Sequence, residues 1–391
     1  MTRKALLIGG FVLYLLTAGA SFAVFRSAQG GTGGLGPNRL AGLIAPLTPG
    51  AGDGKVEVDE GAPKTEPCPL NGQLYSEAER QAWETRTPIA IMIENHQDAR
   101  PQSGLGSADI VYEAVAEGGI TRFMAMVYCD AQDKDVILAP VRSARTYFID
   151  WASDYQKPLY THVGGANIPG PTNALGQLDD YGWAGDNNLN QFSIGFPTFA
   201  RNYNRVELAD GKTLATEHTM ETSSERLWEY AEENRDITAW QDVEDFTEWS
   251  FADDAEQADR GTTTPISYDF WSGYSDFSVL WNYDPATNNY ARVMANQPHM
   301  DLNTNEQITV KNVVVLLTQE RGPVNELKHM LYTTTGSGEA LIFQNGEVVE
   351  ARWSKPSRTA RTTFTVGGKA VEFVRGPIWI SVLGTGTEVE Y

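Results

Sequence analysis

The stretch Ile110-Val111-Tyr112-Glu113-Ala114-Val115-Ala116-Glu117-Gly118-Gly119-Ile120-Thr121-Arg122-Phe123-Met124-Ala125-Met126-Val127-Tyr128 decides the reading of the fold. Two apolar-rich runs flank Gly118-Gly119. Read as strands, residues 110–117 and 120–128 form a hairpin, because paired glycines accept the positive φ of the turns that match strand twist. A helix over residues 109–117, capped by Ser107, is the alternative. In the hairpin, one face carries Ile110, Tyr112, Ala114 and Ala116 opposite Thr121, Phe123, Ala125 and Val127, and belongs in the core. The other carries Val111, Glu113, Val115 and Glu117 opposite Ile120, Arg122, Met124 and Met126. In the helix, Glu113 and Glu117 are i, i+4 neighbours. A carboxylate pair is expected either way.

The flanking segments supply the rest of a domain. Ser76 followed by Glu79 is a capping-box pattern, so residues 76–84 read as a short helix. Pro88 opens a buried strand over 89–93. Residues 143–155 read as a helix with Phe148 and Trp151 on one face, and 159–163 as a strand ending in Gly164-Gly165. A long Gly/Asn/Pro-rich loop runs to about 196; loops of that length are usually functional or disordered, and Trp183, Phe192 and Phe196 favour an ordered one. Residues 223–231 read as a further helix. Beyond 277 the signals are β, with Asn345-Gly346 and Gly367-Gly368 as hairpin turns. The expected class is α+β: a mixed α/β N-terminal domain with a central sheet (68–231), then a smaller β-rich antiparallel C-terminal domain (266–391). An acidic linker over 232–265 would join them.

At the N-terminus, residues 5–25 are uncharged and are preceded by Arg3 and Lys4. Such a run is long enough to span a bilayer core of about 30 Å. It is expected to be a single-pass anchor within segment 1–26, with a cleaved signal peptide as the alternative. Both place the rest of the chain outside the cytoplasm. Residues 27–67 read as a Gly/Pro-rich flexible tether. The chain has two cysteines, Cys68 and Cys129. In an exported protein an isolated pair reads as one disulfide.

The chain carries 51 acidic and 30 basic side chains, a net charge of −21. That excess argues against a nucleic-acid partner. Eleven acidic residues and one arginine fall within 232–259, so about half of the excess is local. Gly211-Lys212-Thr213 lacks the earlier glycine of a phosphate-binding loop. No nucleophile elbow or His-Glu-x-x-His pair is present. The five histidines are scattered; a set such as His162, His218 and Glu113 could meet in space, but structural roles are commoner. No metal or other cofactor is expected.

Three clusters offer chemistry. Glu113 and Glu117, with Arg122 near, suit general acid work on a glycosidic bond, because paired carboxylates raise one pKa; a structural salt-bridge cluster is the plainer alternative. Arg142 and Arg145 at the start of a helix suit an anion, or else neutralise those carboxylates. Asn95, His96 and Arg100 follow a buried strand, where polar groups often line a cleft. With Arg122 and with His162, at the end of another strand, the expected ligand-binding set is Asn95, His96, Arg100, Arg122, Arg142, Arg145 and His162.

These segments also carry a resemblance. The runs Ile93-Glu94-Asn95-His96, Ala99-Arg100-Pro101-Gln102-Ser103-Gly104-Leu105, Ala108-Asp109-Ile110-Val111-Tyr112-Glu113, Glu117-Gly118-Gly119-Ile120-Thr121-Arg122 and Pro140-Val141-Arg142-Ser143-Ala144-Arg145 resemble the YerB-like lipoprotein family, over roughly residues 75–390. The match around Lys311-Asn312-Val313 and Trp353-Ser354-Lys355 is less sharp. The resemblance implies an N-terminal domain of unknown function, a smaller C-terminal one, and a membrane-attached extracytoplasmic protein. The chain departs from it in having no cysteine near the end of its apolar run, which favours a helix anchor over a lipid. The expected function is recognition of a cell-envelope polymer by a binding or scaffold protein. A glycan-cleaving enzyme using Glu113 or Glu117 as acid is the alternative, and a structural protein with an internal charge network the second; the sequence leaves catalysis open.

Overall fold

Turn chemistry and capping place the first elements as the sequence requires. The structure is a computed structural model in which residue 59, residues 61–208 and residues 211–391 are described. The expected anchor and most of the tether lie outside the described residues; at the tether's expected end, Glu66–Pro67 instead pair as a short strand with Leu74–Tyr75. No described helix is long and apolar enough to cross a membrane.

In chain order the larger elements are α1 (Glu77–Trp83), β1 (Ile89–Glu94), β2 (Ile110–Glu117), β3 (Ile120–Val127), α2 (Thr146–Ala152), β4 (Leu159–His162), α3 (Ala174–Asp180), β5 (Asn188–Asn190), α4 (Gln191–Ile194) and α5 (Ser224–Arg235). They continue as β6 (Ile266–Tyr268), β7 (Val279–Asp284), β8 (Asn289–Met294), β9 (Asn312–Thr318), β10 (Gly336–Gln344), β11 (Glu347–Lys355), β12 (Thr363–Val366), β13 (Lys369–Ala370) and β14 (Ile378–Gly384). Strands predominate and helices are few. The capping box is present: Ser76 Oγ accepts from the Glu79 N–H, and Glu79 Oε2 accepts from the Ser76 N–H at 2.7 Å. Helix α2 starts later than expected, because the residues before it pair as extended chain: Arg142 N–H donates to Met92 O and Ala144 N–H to Gly164 O.

The hairpin forms, with Gly118 and Gly119 at φ 55° and 87°, but its register departs from the simple one. A two-residue turn without irregularity sets Glu113 opposite Met124. Instead, a bulge between Val115 and Glu117 leaves Glu117 opposite Ile120 and moves Glu113 opposite Phe123. The extra residue in β2 reverses which side every earlier side chain faces. Glu113 therefore shares a face with Thr121 and Phe123. Glu117 shares the other with Arg122. The expected side-by-side carboxylate pair is not formed.

An eleven-stranded mixed sheet runs in the order β13-β12-β11-β10-β9-β14-β2-β3-β1-β4-β5. A second, six-stranded antiparallel sheet contains β6, β7 and β8. The C-terminal part is thus antiparallel in this sheet and in the β9-β10-β11 meander, as expected. Strand β14 departs from that pattern, pairing parallel with both β9 and β2. Six of its seven residues are buried, which suits a central parallel position covered on both faces. The two halves of the sequence are therefore joined by one sheet.

The acidic segment packs against both halves. Trp240 Nε1 donates to Tyr155 O at 2.9 Å, and Trp249 Nε1 to Thr362 O at 2.7 Å. The buried Arg361 guanidinium lies 3.8 Å from the Trp249 ring centroid, 4.3 Å from Tyr155 and 5.0 Å from Phe246. This aromatic cage suits a cation held away from water. Cys68 and Cys129 form the expected disulfide.

Candidate functional site

The residues singled out by sequence separate into three clusters. The first surrounds Glu113, which is fully buried. Its Oε2 accepts from Arg292 Nη2 at 2.6 Å and from Trp379 Nε1 at 3.1 Å, and its Oε1 accepts from Thr121 Oγ1 at 2.8 Å. Arg292 is also fully buried, with its guanidinium 4.4 Å from the Trp379 ring centroid. Its Nη1 lies 2.7 Å from His299 Nδ1. Burial, with Arg292 adding to it, holds His299 well below the ordinary histidine range, so the ring is neutral. Asn95 belongs here: its Nδ2 donates to Thr121 Oγ1 at 2.7 Å, and its Oδ1 accepts from Arg100 Nε at 3.1 Å. Glu113, Asn95 and Arg100 thus build an internal network.

The second cluster is Glu117 with Arg122 and Arg145. Arg122 Nη2 donates to Oε1 at 2.7 Å and Arg145 Nη2 to Oε2 at 2.5 Å. The other ends of these guanidiniums are bound to Ser143 O and Ala144 O. Burial alone would raise the Glu117 carboxyl, but the two guanidiniums outweigh it and hold it at about 2. A group so placed is ionised at neutral pH. It does not carry the proton that general acid catalysis requires.

The third cluster reaches the surface. Glu94, at the end of β1, accepts from His218 Nδ1 at 2.8 Å and forms an ion pair with Arg142 Nε at 3.0 Å. The hydrogen bond to Glu94 holds the His218 ring above its ordinary range, against the effect of burial. His96 stacks on His218, with ring centroids 4.9 Å apart and planes 17° from parallel. His96, Asp98 and His218 each bring one potential ligand atom within 4.8 Å of the others. The other such group among the described residues, Cys68, Asp109 and Cys129, is occupied by the disulfide. The suggested set of His162, His218 and Glu113 does not assemble. His162 is buried and bonded to Gly164 O and Asn188 Oδ1, each at 2.6 Å, and Glu113 belongs to the first cluster.

A depression of about 370 Å³ is lined by Arg142, Gly164, Gly165, Phe192, Arg201 and Glu217, among others. His162 shapes its wall by fixing the Gly164 carbonyl. Gly164, at φ 55°, admits the Phe192 ring so closely that a Cβ there would lie 2.8 Å from it. Phe192 itself is 74% exposed. Arg201 Nη1 donates to Thr216 O at 2.5 Å, fixing a second guanidinium on the rim. A larger depression, about 790 Å³, lies along β6 and β7 beside Trp271 and Glu320, and none of the expected residues line it.

Of the expected residues, His96 and Arg142 reach the third cluster, and His162 lies apart from it, behind the Gly164 wall of the depression. Glu113, Asn95 and Arg100 meet in the first; Glu117, Arg122 and Arg145 meet in the second. Sequence reasoning missed Asp98, Arg201 and Arg292 altogether, and saw His218 and Phe192 without their neighbours. The local signal for His96 was its place after a buried strand. His218 lies 124 residues from Glu94, and no periodicity connects them.

The N-terminal domain described as "Protein of unknown function (DUF3048)" matches residues 74–236, and the C-terminal domain of the same description matches residues 266–380. The first match ends at residue 236, just inside the acidic segment, and the second begins after it. The chain is 28% identical over 302 residues to a protein of Bacillus subtilis (strain 168) named "Putative lipoprotein YerB", covering 76% of this chain and 81% of that protein. The crystal structure of the YerB protein from Bacillus subtilis superposes with a TM-score of 0.66 at 25% identity, covering 84% of this chain and all of that one. The chain belongs to the YerB-like family and carries matches to both its N- and C-terminal DUF3048 domains.

Proposed function

We propose that the protein is a membrane-attached extracytoplasmic protein that holds a cell-envelope polymer in the groove beside Arg142 and does not cleave it. The placement draws on the likeness to YerB, a protein named as a lipoprotein, and on the disulfide, a bond that persists in oxidising compartments. Both cysteines are consumed in that bond. Attachment is therefore assigned to the uncharged run over residues 5–25.

The observation that carries the binding role is Phe192, an exposed ring seated on Gly164 beside the guanidiniums of Arg142 and Arg201. A flat apolar face next to fixed cationic donors suits a sugar ring bearing an anionic substituent. Binding is favoured over cleavage because neither candidate acid is poised for it. Glu113 is enclosed by its own chain, and Glu117 is held ionised by two arginines. The protein's net charge does not oppose an anionic ligand here, since much of the acid excess sits in residues 232–259.

The test is to incubate the full-length protein, in detergent, with purified cell-wall sacculi. Pelleting with the sacculi and no soluble fragments is the expected result. Released fragments that disappear in Glu117→Gln would support the enzyme instead. Neither pelleting nor release would leave only the internal charge networks.

A further inference from the structure

We propose that His96, Asp98 and His218 form a binding site for a divalent transition-metal ion, with Zn²⁺ the best fit. The site stands apart from the polymer reading. None of its three ligands is assigned to ligand contact there, and its test needs no polymer.

The donor set is two imidazoles and one carboxylate, which suits zinc and related ions and not Mg²⁺ or Ca²⁺, which seek oxygen ligands. The residues come from two segments. His96 and Asp98 lie on the turn directly after β1, and His218 lies on the short turn before residues 220–223. His96 caps its own turn, and this holds the imidazole beside the Asp98 carboxylate, with Nδ1 3.9 Å from Oδ2. Two ligand atoms bound to one zinc are about 3.4 Å apart in a tetrahedral site. Closing that gap needs a shift of about half an ångström. The side chains that must move are 39% and 57% exposed, so solvent leaves them room. The one bond lost is weak: His96 Nδ1 accepts the Asp98 N–H at 3.3 Å.

His218 offers a supported imidazole. Because its ring stacks on His96 with planes 17° from parallel, the partly exposed His96 ring must turn for both lone pairs to meet one ion. The His218 Nδ1–H donates to the buried Glu94 carboxylate at 2.8 Å, which places the lone pair on Nε2, the atom left for a metal. A carboxylate behind a metal-bound histidine is the usual supporting partner; it fixes the tautomer and raises ligand basicity. Glu94 is in turn held by Arg142. Three protein ligands leave at least one position open, on the exposed side formed by His96 and Asp98. Water or an anionic oxygen would fill it.

The site is tested with metal alone. The untagged full-length protein, stripped with chelator and dialysed, is titrated with Zn²⁺ by calorimetry, and with Co²⁺ by absorption of its d–d bands. The expected result is saturation at one equivalent, with competition between the two ions and no heat from Mg²⁺. His96→Ala and Asp98→Ala should each weaken Zn²⁺ binding more than tenfold. The metal-free melting temperature should stay within a few degrees for both, with the smaller change in Asp98→Ala, whose side chain is 57% exposed against 39% for His96. Glu94→Gln should weaken it about 10- to 100-fold. Three results would overturn the site: no saturable Zn²⁺ binding, equal affinity in His96→Ala, or Mg²⁺ binding as tight as Zn²⁺.

Discussion

Arg292 Nη2 lies 2.6 Å from Glu113 Oε2, and both side chains are fully buried. The pair joins β8 to β2, and so binds the C-terminal part to the N-terminal one. Trp379 on β14 completes the enclosure, donating to the same carboxylate oxygen. A desolvated ion pair of this kind is costly to break from one side, because the remaining charge has no partner. Arg292→Met should destabilise the protein by about 3–5 kcal/mol. Glu113→Gln, which keeps the shape and part of the hydrogen bonding, should cost less. Equilibrium urea unfolding of both variants measures the difference.

Glu117 predicts a pH dependence. Its carboxyl is depressed to about 2 by Arg122 and Arg145, acting against burial. A depressed acid stabilises the fold above the unfolded-state pKa, near 4.3, and that contribution is lost as pH falls towards 2. Glu117→Gln should therefore be less stable than wild type at pH 7, by about 1–3 kcal/mol given its partial exposure. The gap should close progressively below pH 4. Denaturation midpoints at pH 7, 4 and 2.5 check this; a gap independent of pH would contradict it.

The hairpin, the capping box and the disulfide were all legible, because each depends on residues whose signal is local or on a count of two cysteines. The bulge at 115–117 was not. Ala116 carries no mark of an extra residue, yet it decides that Glu113 faces Arg292 while Glu117 faces Arg122. Partners distant in sequence were equally hidden. Arg292 is 179 residues from Glu113, and its selection depends on β8 packing behind β2. The parallel insertion of β14 beside β2 was hidden for the same reason: an apolar strand reads alike in an antiparallel sheet and in the middle of a mixed one.

The Arg361 cage predicts how the acidic segment detaches. Tyr155, Phe246 and Trp249 surround this guanidinium, and Trp249 also donates to Thr362 O. Arg361→Ala removes the cation that three rings share. Cleavage within residues 232–260 by a glutamate-specific protease should then be faster, and the melting temperature should fall as well, because Arg361 also lies 4.0 Å from the buried Asp154 carboxylate. Unchanged cleavage would show that the segment is held without the cage, by Trp240, Trp249 and the strand pairing of residues 250–252 with 372–374.

The disulfide closes a loop with a sequence separation of 61. Loop-closure entropy assigns about 4 kcal/mol to a loop of that length. Cys68→Ser with Cys129→Ser should lower stability by an amount of that order. In the wild type, alkylation without reductant should leave the mass unchanged; two alkylated thiols would contradict the bond.

The most direct test of the binding role is co-sedimentation with purified sacculi of the wild type, Arg142→Ala and Phe192→Ala at one fixed salt concentration. Wild type is expected to pellet, each variant to pellet at least tenfold more weakly with its melting temperature within a few degrees of wild type, and no soluble fragments to appear. Equal pelleting of all three proteins would place the ligand elsewhere and contradict the assignment of the groove.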